Sequence, residues 1–385
     1  MFHIFPSPLE EIGSQRAWVS SMSKAHERIR QMKSYNHLYE KVLSKENIKS
    51  AILKASKGKR KRRKVQRILS DIDAWIPYYQ NFISHYKTRH KKPKIIYEGI
   101  TRKRREIIVP SYDEQVMHHA IVNVLEPIIM KSIYFHSYGS LPRRGAHGAK
   151  KYIEKWIRHD SRNCKYFLKM DIKQFFPSVP HDRLYEMLAD YIHDERMLTL
   201  MHKVIDSTET GLPLGFHTSH WLANWYLCGL DRFIKQELMA VHYIRYMDDL
   251  VIFGPNKRKL HKYRIAIADY LEHIGLRMKG NWQLKKFDYN GKGHDLDFMG
   301  FRFFSDKTIL RKRVMYRMCR RAKKISKKEK PTIYDCRRMM SALGLIDKTD
   351  TYYMYLKHIK PYICFRKLKK RISNYDRRNA HVAQE

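Results

Sequence analysis

Residues 242–254 read HYIRYMDDLVIFG, in which Asp248 and Asp249 stand side by side between two apolar runs rich in β-branched and aromatic residues. This pattern predicts a strand, a tight turn that carries the two aspartates, and a second strand. Two carboxylates at the tip of a hairpin can hold divalent metal ions of the kind that catalyse nucleotidyl transfer. Because Asp is also a favoured turn residue, the pair alone leaves ordinary turn chemistry as the alternative.

A third carboxylate follows another apolar run. Residues 165–172 predict a strand that ends near Asp171, which lies 77 residues before Asp248 and is followed by two phenylalanines and a proline. A strand-end aspartate and an Asp-Asp hairpin supply three carboxylates from neighbouring strands, a set that suits two hard cations sharing oxygen ligands. Taken alone, Asp171 is equally compatible with a helix cap or a surface charge, but beside the aspartate pair the metal interpretation is favoured.

The chain is strongly basic. Its 385 residues include 78 Lys and Arg against 38 Asp and Glu, a formal net charge of +40. Such an excess predicts a polyanionic partner, and nucleic acid is favoured because neutralising its phosphates releases counterions. An anionic membrane surface is the alternative, but no apolar run is long enough to span a bilayer and the first residues show no secretory signal. We therefore expect a cytoplasmic protein without a membrane partner.

Cysteine and histidine positions give no sign of a zinc site. No two cysteines are two to four residues apart and their number is odd, so we expect reduced, mostly buried thiols in an intracellular protein. The histidines, among them His118 and His119, have no spacing with cysteine or carboxylate that indicates a metal, and structural roles are favoured. The cysteines are Cys164, Cys228, Cys319, Cys336 and Cys364.

The rest of the chain mixes helices with short strands. Apolar spacing predicts a buried helix over 115–129, two helices over 181–205 and a helix over 257–274. A glycine-bounded turn at 211–215 opens a further helix, and residues 297–304 predict an aromatic strand pair. Helices combined with short antiparallel strands favour an α+β class over a doubly wound sheet.

Four motifs occur in a specific order. They are Asp-x-x-x-Phe-Phe-Pro-Ser at 171–178, a glycine turn with Thr-Ser at 211–219, Tyr-Met-Asp-Asp at 246–249 and Leu-Asp-Phe-Met-Gly-Phe at 296–301. From about residue 36 to about residue 370 the chain resembles a reverse transcriptase of the bacterial type. It is most similar to the diversity-generating retroelement type, which is related to group II intron and defence-associated reverse transcriptases.

The resemblance implies an α+β right-hand polymerase with fingers, a palm built on an antiparallel sheet with the Asp-Asp hairpin, and a helical thumb. We accordingly expect four regions: a leader at 1–35, a basic helical N-terminal region with the fingers at 36–160, the palm at 161–305, and a basic helical thumb with a tail at 306–385. The family would be bacterial or phage-encoded.

The resemblance also implies the catalytic set. Two Mg²⁺ ions, with Mn²⁺ as an alternative, would be held by Asp171, Ile172, Asp248 and Asp249. Lys279 resembles the lysine that protonates the leaving pyrophosphate, with a plain surface charge as the alternative.

Further residues are implied to contact the incoming deoxynucleotide. Phe176 stands where the family places the aromatic that blocks a ribose 2′-hydroxyl, and core packing is the alternative. Gly215 and Ser219 belong to a turn and helix that resemble the part lying against the template and the incoming base, with an ordinary helix entry as the alternative. The implied nucleotide contacts are Lys103, Arg105, Phe175, Phe176, Gly215 and Ser219.

A last group is implied to contact nucleic acid. The basic run at 57–64 is interpreted as a phosphate-contacting patch, with a solvated loop as the alternative. Many relatives carry Arg where this chain has Leu141, and Arg143 or Arg144 would replace it; many carry Gln where it has His220, which bears on fidelity. Residues 296–303 resemble the primer grip, with a core hairpin as the alternative. The implied contacts are Lys59, Arg60, Arg62, Arg63, Arg143, Arg144, His217, His220, Tyr246, Met247, Phe298 and Gly300.

The resemblance implies copying of a template or noncoding RNA into cDNA from a DNA or RNA primer, using deoxynucleoside triphosphates. In a diversity-generating retroelement the copying would be mutagenic and aided by a small accessory protein or a second copy of the chain. A phage-defence reverse transcriptase with its own noncoding RNA is the competing system. Untemplated or protein-primed addition and a non-catalytic RNA chaperone are the alternatives of other kinds.

Overall fold

The computed structural model describes residues 35–97 and 104–381, with side chains as far as Arg377. The strands are β1 Lys94–Tyr97, β2 Arg104–Ile107, β3 Ser137–Tyr138, β4 Tyr166–Asp171, β5 His242–Tyr246, β6 Asp249–Gly254, β7 Gln283–Lys286, β8 Leu296–Phe298, β9 Phe301–Phe303 and β10 Thr308–Leu310. Lys103, one of the expected nucleotide contacts, lies outside the described residues.

Helices occupy most of the remaining described chain. They are α1 Leu38–Leu43, α2 Lys45–Ser56, α3 Arg63–Ser70, α4 Ile72–Ser84, α5 Tyr112–Ser132, α6 Ala146–His159, α7 Phe175–Ser178, α8 His181–Tyr191, α9 Glu195–Ile205, α10 His217–Tyr226, α11 Cys228–Arg232, α12 Lys257–His273, α13 Lys312–Ser326, α14 Ile333–Ile346, α15 Tyr352–His358 and α16 Phe365–His381. A π-helical turn, Phe233–Glu237, follows α11. None of the described helices has both the length and the apolar character needed to cross a bilayer.

The central sheet has five strands in the order β3-β5-β6-β4-β7. Strands β5 and β6 form the antiparallel hairpin predicted for residues 242–254, and β4 pairs antiparallel with both β6 and β7. Only the two-residue β3 runs parallel to its neighbour, β5. Residues 250–254 of β6 are all buried, which a strand in the middle of a covered sheet requires. The α+β class and the antiparallel sheet with its Asp-Asp hairpin are confirmed.

The described chain forms two compact units, each drawn from several segments. The first contains residues 35–94, 107–132 and 174–226, and its core follows α5, which contacts α2 and α10. The second contains the five-stranded sheet and the chain from residue 227 onward. An aromatic cluster fills its core, contributed by Phe167, Phe253, Phe287, Phe298, Phe301 and Phe303. The expected region boundaries at 35, 160 and 305 stay predictions.

Candidate active site

The three aspartates meet at the tip of the β5–β6 hairpin. Asp171, at the end of β4, lies directly opposite Asp249, at the start of β6. Opposed residues of an antiparallel pair project from the same face, so these two carboxylates are neighbours. Asp248 lies in the turn, and its carbonyl accepts a hydrogen bond from the Ile172 backbone N–H at 3.1 Å. Two strands that are 77 residues apart in sequence thus place three acidic residues together.

Lys279 joins these aspartates. The chain after α12 runs beside the end of β4, where the Lys279 N–H donates to the Asp171 carbonyl at 2.8 Å. Its side-chain Nζ lies 2.7 Å from Asp171 Oδ2. This hydrogen bond raises the pKa of Lys279, with smaller contributions from the charges of the three aspartates, so the amine is held in its protonated form. Lys279 therefore keeps its proton beside the three aspartates, and its expected role as a proton donor stays a prediction.

Asp249 is buried and lies close to two other negative charges. Burial and the negative charges of Asp248 and Asp171 together raise the pKa of the Asp249 carboxyl to about 6, against the opposing positive charges of Lys169 and Lys279. Adjacent carboxylates repel one another when all are ionised, and a cation relieves that repulsion. The charge of the site therefore suits bound cations.

The residues fit hard divalent cations in chemistry, although not as a preformed cage. Within the described chain, no three His, Cys, Asp or Glu side chains are grouped so as to hold a metal ion as they stand. The Lys279 ammonium contacts one Asp171 oxygen, and it would have to move away for that oxygen to bind a metal ion. The carboxylate oxygens of Asp171, Asp248 and Asp249 are the ligands that Mg²⁺ and Mn²⁺ favour. The structure does not test the expected metal contact of Ile172.

A buried ion pair lies beneath the hairpin, and sequence reasoning did not find it. Arg245 on β5 and Asp231 on α11 are 0% and 1% exposed, and Asp231 accepts hydrogen bonds from Arg245 Nε at 2.8 Å and Nη2 at 2.6 Å. The same carboxylate accepts from the Tyr243 and Ser137 hydroxyls. Arg245 Nη1 donates to the Met247 carbonyl at 3.2 Å, which ties the network to the turn.

The turn itself depends on a close backbone approach. Met247 has a positive φ of 55° and donates its N–H to the Tyr138 carbonyl at 3.0 Å. A Cβ placed on Gly139 would lie 2.8 Å from Met247 Cγ, so glycine leaves room for that side chain. Tyr246 lies opposite Asp249 in the hairpin register. Both residues expected to contact nucleic acid here, Tyr246 and Met247, are next to the carboxylates.

The expected nucleotide contacts of the first unit, together with the expected nucleic-acid contacts His217 and His220, group around the start of α10. Phe176 is half-buried, with its ring centroid 5.3 Å from that of His220. Ser219 is buried, and its hydroxyl has no hydrogen-bond partner among the described residues. His217 packs against His119 at 4.5 Å between ring centroids. Phe175 is 2% exposed, which favours a packing role for that ring.

Of the remaining expected contacts, some side chains are exposed and others are hydrogen-bonded or packed within the protein. Arg60, Arg62 and Arg63 are exposed, whereas Lys59 donates to the Ala55 carbonyl at 2.7 Å. Arg105 is half-buried on β2. 

Of the two arginines near Leu141, Arg143 is exposed, while Arg144 donates to the Tyr134 carbonyl at 2.8 Å and lies over the Phe135 ring. In the β8–β9 hairpin, Gly300 adopts a positive φ of 88°. Phe298 is fully buried, which favours the core-hairpin alternative for its ring.

The family model described as "Reverse transcriptase (RNA-dependent DNA polymerase)" matches residues 89–302, more than half of the chain. The chain belongs to the reverse transcriptase family. This range contains the hairpin, Asp171, Lys279 and all but the last residue of the β8–β9 segment. Membership agrees with the right-hand polymerase class expected from the motifs.

The relatives that resemble this chain do so over only part of their own length. The group II intron-encoded protein LtrA of Lactococcus lactis subsp. cremoris is 27% identical over 184 residues, covering 45% of this chain and 29% of that protein. The retron Ec73 reverse transcriptase of Escherichia coli is 29% identical over 147 residues, covering 34% of this chain and 45% of the relative. The telomerase of Candida albicans, solved with a fragment of telomeric RNA, aligns at a TM-score of 0.45 and 14% identity, covering 79% of this chain and 61% of that one. The chain thus spans less than half of the length of either curated relative.

Proposed function

We propose that this chain is an RNA-directed DNA polymerase that adds deoxynucleotides to a primer 3′-hydroxyl while copying an RNA template. The observation that carries the proposal is the meeting of Asp171, Asp248 and Asp249 at one hairpin tip, with Lys279 hydrogen-bonded to Asp171. Family membership supports it.

The residues have distinct roles in this reaction. Asp171, Asp248 and Asp249 would hold two Mg²⁺ ions, and Mn²⁺ suits the same oxygen ligands. When bound, such ions lower the pKa of the attacking hydroxyl and neutralise charge on the leaving pyrophosphate. Lys279, kept protonated beside Asp171, donates a proton to the pyrophosphate. Phe176 excludes a ribose 2′-hydroxyl, so deoxynucleotides are preferred.

Primer extension on an RNA template tests the proposal. We expect Asp248→Asn to lower the extension rate by about a thousandfold or more, because losing a metal ligand removes several kcal/mol of transition-state stabilisation. Asp306→Asn, at an exposed aspartate on a loop before β10, is the matched control and should extend like the unaltered chain. Extension that survives Asp248→Asn would place the chemistry elsewhere.

The same assay separates templated from untemplated synthesis. With the RNA template withheld we expect no product, and with it present the product sequence should be complementary to the template. Product of unrelated sequence would favour untemplated or protein-primed addition.

We infer that the chain is a cytoplasmic protein of a diversity-generating retroelement, in which it synthesises cDNA on a cognate RNA. The support is the resemblance at Tyr39-Glu40-Lys41, the basic block at 57–64 and the segment 353–362. A small accessory protein or a second copy of the chain would assist. The competing system is a phage-defence reverse transcriptase with its own noncoding RNA.

Sequencing the RNA and any attached DNA that co-purify with the chain separates these systems. A template RNA whose cDNA carries frequent base changes supports the retroelement. A single noncoding RNA whose cDNA is an accurate copy, or DNA that matches no RNA template, supports the phage-defence system.

A further inference from the structure

The second unit contains a cavity that none of the catalytic residues line. It has a volume of about 870 Å³ and lies among α13, the start of α14, and α16 with the loop before it. Its apolar floor is formed by Ile325, Ile363 and Leu368, each less than 10% exposed. This size falls in the range of sites that enclose small organic groups.

The cavity rim is positively charged. Lys367, Lys370 and Arg371 line it, and no ion pair to a carboxylate is found for them within the part of the chain described here. Lys328 also lines it but is paired with Asp335 at 2.5 Å. Among the described residues, none that line the cavity is acidic. Uncompensated cations around a concave surface attract an anion, and phosphate is the common biological one.

Two tyrosines give the cavity aromatic walls. Tyr362 and Tyr375 line it, and each is 38% exposed, so part of each ring surface is open to a ligand. Lys323 lies 5.2 Å from the Tyr362 ring centroid, and Arg337 lies 5.8 Å from that of Tyr375. The amide of Asn374, also in the lining, offers both a hydrogen-bond donor and an acceptor. Arg337 is paired with Asp376, so the cations open to phosphates are Lys367, Lys370 and Arg371. Aromatic faces beside such cations are how proteins hold unstacked bases with their phosphates.

We propose that this cavity binds an unpaired nucleotide of a nucleic-acid strand, with the base against Tyr362 and Tyr375 and the adjoining phosphates on Lys367, Lys370 and Arg371. A base within a duplex presents only its edges, because its faces are stacked, so an unpaired nucleotide is the ligand that these walls fit. The site goes beyond template copying, since it would anchor a single-stranded part of a bound RNA or DNA independently of the hairpin carboxylates.

Cys364 provides a probe that needs no substitution. It lines the cavity and is exposed, whereas Cys164, Cys228 and Cys336 are buried. We expect a single-stranded ten-nucleotide RNA to slow alkylation of Cys364, read by mass spectrometry at that residue, at least fivefold in buffer without divalent ions. Inorganic polyphosphate of equal charge and a fully paired duplex should protect weakly. Equal protection by either of these, or no protection by the RNA, overturns the proposal.

Single-stranded DNA and a free nucleoside triphosphate distinguish the source of the nucleotide. Protection by RNA alone indicates that the ribose is read, and equal protection by DNA indicates base and phosphate only; both support the site. Protection by the free triphosphate that exceeds that by every strand overturns the strand assignment.

Matched variants test the walls. Tyr362→Ala and Tyr375→Ala should each weaken binding of the single-stranded RNA about tenfold by fluorescence anisotropy, the usual size of a lost base–aromatic stack. Tyr375→Phe keeps the ring and should bind like the unaltered chain. Tyr353→Ala, at a tyrosine that is 69% exposed and outside the cavity, should leave affinity unchanged. An equal loss in Tyr353→Ala would show that tyrosines act anywhere on this basic surface and contradict the cavity. Both experiments measure binding without synthesis, so they stand whether or not polymerase activity is found.

Discussion

At the scale of single residues, the hairpin depends on the buried positive charge of Arg245. Arg245 is fully buried in β5, where an unpaired guanidinium would be very costly, and Asp231 accepts two of its N–H groups. A third N–H donates to the Met247 carbonyl, immediately before Asp248. The ion pair therefore helps to position the turn that carries Asp248.

We expect Arg245→Met to lower the free energy of unfolding by about 3–5 kcal/mol, because it leaves the Asp231 carboxylate buried without its cation. Urea denaturation followed by circular dichroism measures this. The control is Arg302→Met, which breaks a bidentate but partly exposed pair with Asp295 and should cost about 1 kcal/mol or less. Equal losses in the two variants would mean that the buried pair has no special role.

At the scale of elements, the turn before α10 is held by an approach that only glycine allows. Gly215 has a φ of +117°, and a Cβ there would lie 2.3 Å from the carbonyl oxygen of Ile108. The neighbouring Leu214 carbonyl accepts the Ile108 N–H at 2.8 Å. The backbone at Ile108, just after β2, therefore packs directly against the backbone of the turn before α10.

Replacing Gly215 by Ala should reduce stability by at least about 2 kcal/mol, since it adds a backbone clash to an unfavourable φ. Gly300→Ala is the matched control: Gly300 also has a positive φ, +88°, but nothing lies within 4 Å of its added Cβ. There we expect only the conformational cost, about 1 kcal/mol. Thermal unfolding of both variants gives the comparison, and a smaller loss at Gly215 would contradict the close approach.

Helices α5 and α10 share a group of histidines that are held neutral. Burial lowers the pKa of His118 to about 3, and those of His119 and His217 to about 4. The charges nearby work in both directions: Glu114 favours protonation of His118, whereas Lys54 disfavours it at His119 and His217. Because the unfolded chain binds these protons near pH 6.5 and the folded chain does not, acid favours unfolding.

Stability of the first unit should therefore be highest above pH 6.5 and fall as the pH drops from 6.5 toward 4, by about 1.4 kcal/mol per pH unit for each buried histidine. Urea midpoints at pH 7 and pH 5 measure this. His118→Gln should make the fall shallower, while His85→Gln, at an exposed histidine, should leave it unchanged. A midpoint that does not move between these pH values would show that the histidines are already protonated when folded.

At the scale of the whole molecule, the net charge of +40 predicts that the chain binds nucleic acid mainly through its phosphates. Each phosphate that a cation neutralises releases counterions, so affinity falls steeply as salt rises. We expect the affinity for a primed RNA template to drop about 10³- to 10⁵-fold between 50 and 200 mM salt, as for six to ten phosphate contacts. If the affinity measured by anisotropy does not change with salt, the basic surface has a role other than phosphate binding.

The double variant Arg60→Gln, Arg62→Gln should lower the slope of log affinity against log salt by about 1 for each arginine, if the basic run contacts phosphates. Lys49→Gln, which breaks a surface pair with Asp73, is the control and should leave the slope unchanged. An unaltered slope in the double variant favours the solvated-loop interpretation of residues 57–64.

Local patterns were enough to predict much of this molecule. The apolar runs on either side of Asp248 and Asp249 predicted the hairpin, because a strand in a covered sheet needs buried side chains on both faces. The apolar run before Asp171 predicted β4, and helical spacing predicted α5, α8, α9 and α12. Motif order predicted the family, which is confirmed. The polyanionic partner inferred from composition stays a prediction.

Only the tertiary structure decided which distant groups meet. The register that sets Asp171 opposite Asp249, the Lys279–Asp171 hydrogen bond and the Arg245–Asp231 pair join residues that are 14 to 108 positions apart. Periodicity reports which face of an element is buried but not which partner lies across from it, and that choice depends on strand register and packing. The sequence by itself therefore determined the elements and the chemistry they carry, while the packing of the sheet determined how that chemistry is assembled.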